Sequence, residues 1–309
     1  MKPHLSWRDA LLALAIVFVW GTNFVVIRLG LDALPPLFFA TLRFLFVVLP
    51  AVFFLPRPRS VGASQSDPKY VSWGNLAFYG VCIGLFQFGL LFIAMNGHIS
   101  PGLASLVVQM QVFFTIGLSM WRTGERLKPH QLAAFGLAIA GMAVIAAHNG
   151  HGVTLLGLGL VLLAAMGWAM GNQAGREAGQ INMLAYVVWA ALFSVPPLLI
   201  LSLLLDGPAA IVSGVVRAGW ITWAAVAWQS VGNTMFGYAC WGWLLSRYPA
   251  ATVAPMSLMV PIFGFGASAI LLGEPLPPWK IGATLLIMAG LAVNLLWRPR
   301  KVAISGEAS

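Results

Sequence analysis

The sequence is poor in charged side chains. Asp, Glu, Lys and Arg together make up 8% of its 309 residues, whereas a soluble protein carries about a quarter. This shortage excludes a pair of ordinary soluble domains, which the chain length alone would allow. Apolar residues make up 60% of the chain, and uncharged apolar runs long enough to cross a bilayer as helices recur along it. The composition therefore predicts a polytopic membrane protein.

Few residues suited to catalysis or metal binding are present. The two cysteines, Cys82 and Cys240, both fall inside apolar runs, which favours buried small hydrophobes over a disulfide or metal site. All five histidines lie in predicted loops or tails. The sequence contains no HExxH motif, no Walker loop and no Ser/His/Asp set within the apolar runs. We therefore predict that the protein is not an enzyme and holds no metal or cofactor.

Acidic residues are absent from the middle of every apolar run. The usual intramembrane proton carrier, a buried Asp or Glu, is therefore missing. Any ion coupling needs another device, and otherwise the protein is a facilitator or an exchanger. The chain also lacks a cleavable signal peptide, because the first apolar run is too long and no small-residue cleavage site follows it. We expect this run to act as an uncleaved signal.

Ten helices are predicted from the apolar runs. The Pro-Pro pair before the second run suits the start of a helix, and lipid requires each spanning segment to satisfy its own backbone hydrogen bonds. The predicted fold class is therefore all-α. The predicted helices cover residues 10–30, 35–55, 71–95, 103–121, 129–147, 153–175, 183–205, 218–246, 250–272 and 278–297.

The chain repeats itself at an offset of 149 residues. Segment 100–145 recurs as segment 249–294, and Glu125 recurs as Glu274. Each unit holds five helices, an odd number, so the second unit enters the membrane from the opposite side. In carriers with such inverted repeats, the substrate site lies near the membrane midplane between the repeats. The two predicted units are residues 1–149 and 150–309.

Lysine and arginine residues are unevenly distributed between the predicted loops. With a cytoplasmic N-terminus, thirteen of them lie on the cytoplasmic side and three, Arg28, Arg217 and Lys280, lie on the other. This asymmetry predicts that both termini are cytoplasmic. It also accounts for the net charge of +9, because such side chains set topology and meet anionic lipid headgroups. We therefore predict the lipid bilayer as a partner, and no nucleic acid.

Arg43 lies within the second predicted helix, about 12 Å along it from Pro35 at 1.5 Å per residue. A cation at that depth is costly and usually faces the bundle interior or a water-filled cavity. Two interpretations stay open. Arg43 contacts a substrate carboxylate or a gating ion pair, or it caps backbone carbonyls of a neighbouring helix.

Neutral polar and aromatic residues recur within the apolar runs. Gln229, Asn233 and Trp241 lie at multiples of four residues and share one side of the eighth predicted helix. Asn23 and Asn172 occupy matched positions in the two units. Such side chains fit either interhelical hydrogen bonds or the wall of a polar cavity for a small zwitterionic molecule. The residues that we predict for substrate binding or gating are Trp20, Asn23, Arg43, Gln87, Gln109, Trp168, Asn172, Gln229, Asn233, Tyr238 and Trp241.

Matched Gly-Glu turns, TGERL and LGEPL, contain Glu125 and Glu274. A carboxylate just ahead of a helix caps its N-terminal amides and interacts favourably with the helix dipole. We therefore expect each glutamate to cap the helix that follows it.

Several segments resemble those of a known family. WGTNFVVIRLG near the start, SPGLASLVVQMQVFFTIGLS from Ser100, the GERL turn, WAMGN and VAPMSLMVP are similar to segments of the EamA family of the drug/metabolite transporter superfamily. The resemblance extends from about Trp7 to Trp297 and covers almost the whole chain. Within the family, the chain looks most like the bacterial exporters of O-acetylserine and cysteine.

The resemblance implies an integral membrane protein of ten transmembrane helices, arranged as two inverted five-helix repeats, in the bacterial cell inner membrane. It implies export of amino acids and related metabolites by alternating access, with an amino-acid-like small molecule as the substrate. Export of aromatic amino acids, threonine, homoserine or drug-like metabolites stays open, as does metabolite uptake. The oligomeric state is not predicted.

Overall fold

The computed structural model describes residues 6–60, 69–124, 126 and 128–296, without the side chains of residues 123, 250 and 251. Glu125, Trp297 and the charged residues of both tails lie outside the described residues. The predicted cap by Glu125 and the tail charges used for topology therefore stay predictions.

Nine helices in the described part of the chain are long and apolar enough to cross a membrane. A tenth, Trp220–Arg247, meets the same test together with the short helix Pro208–Arg217, from which it is bent by 107°. We number these crossings as spans 1 to 10. They are Trp7–Leu31, Pro36–Phe54, Trp73–Met95, Pro101–Arg122, Pro129–Ala147, Leu155–Glu177, Met183–Asp206, Trp220–Arg247, Ala254–Leu272 and Pro278–Leu296. Outside them, Arg59–Ser60 pairs antiparallel with Lys69–Tyr70 between spans 2 and 3.

Side-chain caps and prolines determine where many spans begin. The Ser6 hydroxyl accepts a hydrogen bond from the backbone amide of Asp9 at 3.2 Å. Thr154 caps span 6 in the same way, 2.9 Å from the Gly157 amide. Because the first-turn amides of a helix have no carbonyl partner, such caps stabilise its start. Spans 2, 4, 5 and 10 each begin with proline, whose missing N–H costs nothing there.

The sequence does not predict the short helix Pro208–Arg217, because ten residues are too few to cross a bilayer. Gly207 and Gly219 flank this helix. It is bent by 107° from span 8. Val212 and Val216, one turn apart, are 63% and 80% exposed, so this helix has an exposed apolar face of the kind that suits a lipid interface.

Spans 5 and 10 form a close and reciprocal contact. At Gly141 of span 5, an added Cβ would lie 2.6 Å from Ile287 Cγ1, and at Gly290 of span 10 it would lie 2.7 Å from the Ala134 carbonyl oxygen. The two glycines are one repeat offset apart, so each half presents the same surface to the other. The predicted all-α fold is confirmed, with nine spanning helices among the described residues, or ten if the bent pair forms one span. The inversion of the second repeat stays a prediction. The boundary between residues 149 and 150 stays a prediction.

Spans 3, 4, 8 and 9 depart from regular α-helical geometry at matched places, and span 7 ends in a further π-helical segment, Ser202–Asp206. Spans 3 and 8 contain π-helical segments of nine residues each, Val81–Gly89 and Trp228–Phe236. Spans 4 and 9 contain 3₁₀ segments, Val108–Met110 and Ala254–Leu258. Spans 3 and 8 occupy equivalent places in the two repeats, and so do spans 4 and 9. Because π-helical turns frequently mark functional sites, these segments indicate where a site lies.

Replacing Gly141 by leucine is expected to destabilise the protein, because span 10 leaves no room for a side chain there. Gly136 of the same span is the matched control, since nothing lies within 4 Å of a Cβ at that position. We expect Gly141→Leu to lower the free energy of unfolding by about 1–3 kcal/mol and to lower the thermal midpoint in detergent. Gly136→Leu should leave the midpoint unchanged or raise it, and equal midpoints would contradict the reciprocal contact.

Candidate functional site

Arg43 is fully buried inside the bundle. It follows the first residue of span 2, Pro36, by seven positions, which places it about 10 Å along the helix. Phe39 and Val47, one turn before and one turn after it, are also fully buried. Residues four apart share a helix face, so the rotation of span 2 that buries these apolar side chains also buries the cation.

A chain of hydrogen bonds joins Arg43 to two other spans. Its Nη1 donates to Gln229 Oε1 of span 8 at 2.5 Å, and Gln229 Nε2 donates to Asn23 Oδ1 of span 1 at 2.7 Å. The Ser230 hydroxyl donates to the Arg43 carbonyl oxygen at 3.0 Å. Gln229 and Ser230 both lie in the π-helical segment of span 8. Two successive residues of this segment therefore bind one arginine.

The charge of Arg43 is only partly compensated. Its guanidinium carbon lies 3.5 Å from the ring centroid of Phe88 in span 3, a cation–π contact. Its Nε and Nη2 are buried and have no hydrogen-bond partner among the residues that the structure describes. Within the same residues, no carboxylate forms an ion pair with it. Buried donors without partners are costly, so this edge of the guanidinium is suited to bind an anionic ligand.

A small cavity lies beside the guanidinium. Its volume is about 10 Å³, roughly the room that one water molecule needs. Spans 2, 3, 7 and 8 form its walls, with polar groups from Tyr79, Ser194, Thr234 and Tyr238. Pockets for small ligands typically measure about 300–1,000 Å³. The cavity beside Arg43 is therefore too small for a metabolite in this structure, and the spans are closed around the guanidinium.

Trp20 of span 1 packs against span 8. Its indole nitrogen donates to the Asn233 carbonyl oxygen at 3.3 Å. The ring of Trp20 lies 5.8 Å from that of Tyr238 and 5.1 Å from that of Trp241. A Cβ at Gly237 would collide with the indole, so only glycine allows this contact. The residues predicted to share one side of the eighth helix do so, and that side faces span 1.

Gln109 and Asn172 have partners other than Arg43. Gln109 Nε2 donates to the Ser257 carbonyl oxygen at 3.3 Å, and Asn172 Nδ2 donates to Gln111 Oε1 at 3.2 Å. Gln109 and Ser257 lie in the matched 3₁₀ segments of spans 4 and 9. Their hydrogen bond therefore joins the two repeats. Both contacts fit the interpretation of these amides as interhelical hydrogen-bonding groups.

Gln87 and Trp168 complete the predicted set. Gln87 is buried, and its Oε1 has no partner among the described residues. Trp168 is partly buried against the apolar core. Neither lines the cavity beside Arg43. The predicted residues that the structure brings into one connected group are Trp20, Asn23, Arg43, Gln229, Asn233, Tyr238 and Trp241.

Three further residues of this group, Ser194, Ser230 and Thr234, carry no sequence pattern that predicts them. Each is a small hydroxyl in an apolar span, and each bonds a backbone carbonyl. Only the tertiary structure shows that they lie around Arg43. Among the described residues, no group of three or more His, Cys, Asp or Glu side chains is placed to hold a metal ion.

Glu274 caps a different helix from the one predicted. Its Oε2 accepts from the backbone amide of Gly102 at 3.1 Å, in the first turn of span 4, and the Ser100 and Ser268 hydroxyls also donate to the carboxylate. Lys280, predicted as a loop charge, forms a buried ion pair with it at 2.8 Å. The expected cap on span 10 is therefore corrected to one on span 4 of the other repeat. Burial alone would raise the pKa of Glu274, but these hydrogen bonds outweigh burial and hold that pKa below its usual value.

Comparison with known proteins finds the EamA-like transporter family, whose sequence profile matches residues 7–147 and 155–296. A Salmonella typhimurium protein named probable amino-acid metabolite efflux pump is 41% identical over 310 residues, 98% of this chain and 100% of that protein. An Escherichia coli protein of the same name is 41% identical over 303 residues, 95% of this chain and 98% of that protein. A solved structure, described only as the crystal structure of a protein, covers 97% of this chain and 99% of its own. Its TM-score of 0.61 at 19% identity shows a shared fold.

Gln229 is expected to control how well the buried charge of Arg43 is tolerated. Gln229→Ala removes the acceptor for Nη1 and should lower the free energy of unfolding by about 1.5–3 kcal/mol. Gln229→Glu places a carboxylate against the guanidinium, so its thermal midpoint in detergent should exceed that of Gln229→Ala. Gln173→Ala is the control, because Gln173 bonds Glu177 at an exposed site. A midpoint for Gln229→Glu at or below that of Gln229→Ala would show that the charge is compensated elsewhere.

Proposed function

The chain belongs to the EamA-like transporter family, and we propose that it exports amino acids and related metabolites of the O-acetylserine and cysteine type. The proposal places it in the inner membrane of a bacterium, with both termini in the cytoplasm. Relatives at 41% identity that are named probable amino-acid metabolite efflux pumps support this function. The concentration of Lys and Arg in loops on one side supports the orientation.

The observation that carries the proposal is the uncompensated edge of Arg43. Nε and Nη2 are the donors that lack partners among the described residues, and together they form one side of the planar guanidinium. An α-carboxylate presents two oxygens, which such an edge binds through two parallel hydrogen bonds. A substrate carboxylate would satisfy both donors and offset the buried cation. Arg43 is therefore the proposed anchor for the substrate.

The remaining groups around Arg43 suit the rest of a small zwitterion. Thr234, Tyr238 and Ser194 provide hydroxyl oxygens at the cavity without a second full charge, and such oxygens accept hydrogen bonds from an ammonium group. Two small residues, Gly80 and Ala191, also line the wall. A short side chain, as in cysteine or O-acetylserine, needs the least separation of the spans. These features support a small polar amino acid as the substrate.

Export of aromatic amino acids is the second candidate. The ring of Trp20 in span 1 forms a cluster with the rings of Tyr238 and Trp241 on the facing side of span 8. Tyr238 also lines the cavity beside Arg43. Opening the cavity toward these rings would create an aromatic wall, which binds a planar side chain through stacked or edge-to-face contacts.

The first test is metabolite release from bacterial cells that overproduce the protein. Cells loaded with O-acetylserine or cysteine should release them faster than cells that carry an empty vector. Arg43→Met should reduce this gain about tenfold or more, because charged hydrogen bonds contribute about 1.5–3 kcal/mol. Gln229→Glu should reduce it as well, because its fixed carboxylate competes with that of the substrate. Arg217→Gln, at an exposed arginine, is the control and should leave release unchanged.

Substrates without a carboxylate provide the sharpest comparison. Cysteamine equals cysteine without its carboxylate, so overproduction should not increase its release. Equal gains for cysteamine and cysteine would overturn the role of Arg43 as carboxylate anchor. Release of phenylalanine or tryptophan in place of cysteine would favour the second candidate, and release of threonine or homoserine would change the substrate. Faster accumulation inside the cells would contradict export and indicate uptake.

A further inference from the structure

Glu274 and Lys280 form an ion pair that is almost completely buried. Lys280 Nζ lies 2.8 Å from Glu274 Oε1, and the two side chains are 3% and 8% exposed. Lys280 also donates to the Pro275 carbonyl oxygen at 3.1 Å. The loss of either partner would leave a buried charge without its counter-ion, which makes such a pair costly to disrupt.

The carboxylate of this ion pair also joins the two repeats at one end of the bundle. Ser100 and the Gly102 amide, which donate to the Glu274 carboxylate, begin span 4 of the first repeat. Glu274 and Lys280 lie after span 9 and at the start of span 10, in the second repeat. The Ser100 amide also donates to the Gly152 carbonyl oxygen at 2.8 Å, in the turn between spans 5 and 6. In the proposed orientation, this is the outer end of the protein.

The ion pair at the opposite end is exposed. Arg122 pairs with Glu177 between the ends of spans 4 and 6, but their side chains are 49% and 46% exposed, and such pairs contribute little. The hydroxyl of the buried Tyr248 donates to Asp9 between the end of span 8 and the start of span 1, a hydrogen bond without a lysine or arginine. Within the described part of the chain, a buried ion pair is found at the Glu274 end and not at this one.

The repeat itself shows the same difference between the two ends. At the repeat offset of 149 residues, the position equivalent to Lys280 is Gln131, and the position equivalent to Ser100 is Pro249. Gln131 Oε1 accepts from the Lys128 amide at 2.9 Å, so it caps the start of its own span. The lysine and the serine of the outer end therefore have no counterparts at the equivalent sequence positions.

We propose that Glu274, Lys280 and Ser100 form an outer latch, which keeps the outer ends of the two repeats together when no substrate is bound. Separation of the outer ends must remove Ser100 and the Gly102 amide from a buried, ion-paired carboxylate, whereas the ion pair between spans 4 and 6 at the inner end is exposed. The empty carrier therefore opens more readily to the cytoplasm, which is the side from which an exporter takes its substrate. This inference rests on the proposed orientation and direction of transport. The three residues act on transport by positioning the repeats, without touching the substrate.

Two cysteine reporters, placed in a variant with Cys82 and Cys240 replaced by alanine, test the latch. Ser105→Cys reports on the outer side, because Ser105 is fully buried and packs against Gly264 of span 9. Ala174→Cys reports on the inner side, because Ala174 is buried and its carbonyl accepts from Asn75 of span 3 at 2.9 Å. A membrane-impermeant maleimide is applied to each face, in intact spheroplasts and in inverted vesicles.

Lys280→Met is expected to raise labelling of the S105C reporter from the outer face about tenfold, because a minor open state then becomes populated. Labelling of the A174C reporter from the inner face should fall at the same time, since the two ends of an alternating-access carrier open in turn. Lys280→Arg keeps the ion pair and should change neither rate. Arg122→Gln, which breaks the exposed pair, is the matched control and should leave S105C labelling within about twofold.

The outcomes separate a latch from a general structural role. If Lys280→Met raises both labelling rates, the ion pair only stabilises the fold. If it changes neither rate, the ion pair does not keep the outer ends together. Either outcome would overturn the latch. If Lys280→Met does not reach the membrane, Glu274→Gln removes the same ion pair and must show the same reciprocal change. Labelling needs no substrate, so a failed export assay leaves this test intact. A reciprocal change with the faces exchanged would overturn the proposed outer position of the latch, and with it the orientation for export.

Discussion

The arrangement of this bundle depends on how a guanidinium is held inside a membrane. A cation at that depth costs several kcal/mol unless neighbouring groups solvate it. For Arg43 these groups come from Gln229 of span 8 and Phe88 of span 3, and both lie in the matched π-helical segments. The two irregular segments therefore meet at a single side chain. Their departure from α-helical geometry is explained by the need to bring two repeats to one charge.

The contact between spans 5 and 10 follows the two-fold repeat of the chain, but the position of Arg43 does not. Spans 5 and 10 contact each other through equivalent glycines. Inverted repeats of this kind are common in carriers that open to either side of the membrane. One repeat offset after Arg43, however, stands Leu192. A second buried cation would repel the first and double the desolvation cost. The proposed single substrate would need one anchor, which agrees with the loss of symmetry at this position.

The sequence predicts the features that depend on local patterns. Span number, the repeat and the unusual depth of Arg43 all follow from composition and spacing. Tertiary pairing does not, because Gln229 lies 186 residues from Arg43 and no periodicity links them. Glu274 shows the limit most clearly. A carboxylate ahead of a helix is expected to cap that helix, but the nearest free amides in the fold belong to span 4 of the other repeat. A rule that uses only neighbours along the chain cannot predict a helix cap between the two repeats.

The partners of the two buried cations differ in a way that fits their proposed roles. Lys280 faces a carboxylate, which neutralises it and makes the contact costly to break. Arg43 faces a carboxamide, which accepts a hydrogen bond and leaves the charge in place. A carboxylate at position 229 would neutralise Arg43 and compete with any anionic ligand. An amide accepts a hydrogen bond from Arg43 in the empty site and leaves the positive charge available to a ligand. The chain thus neutralises the cation at the proposed latch and leaves it partly unsatisfied at the proposed substrate site.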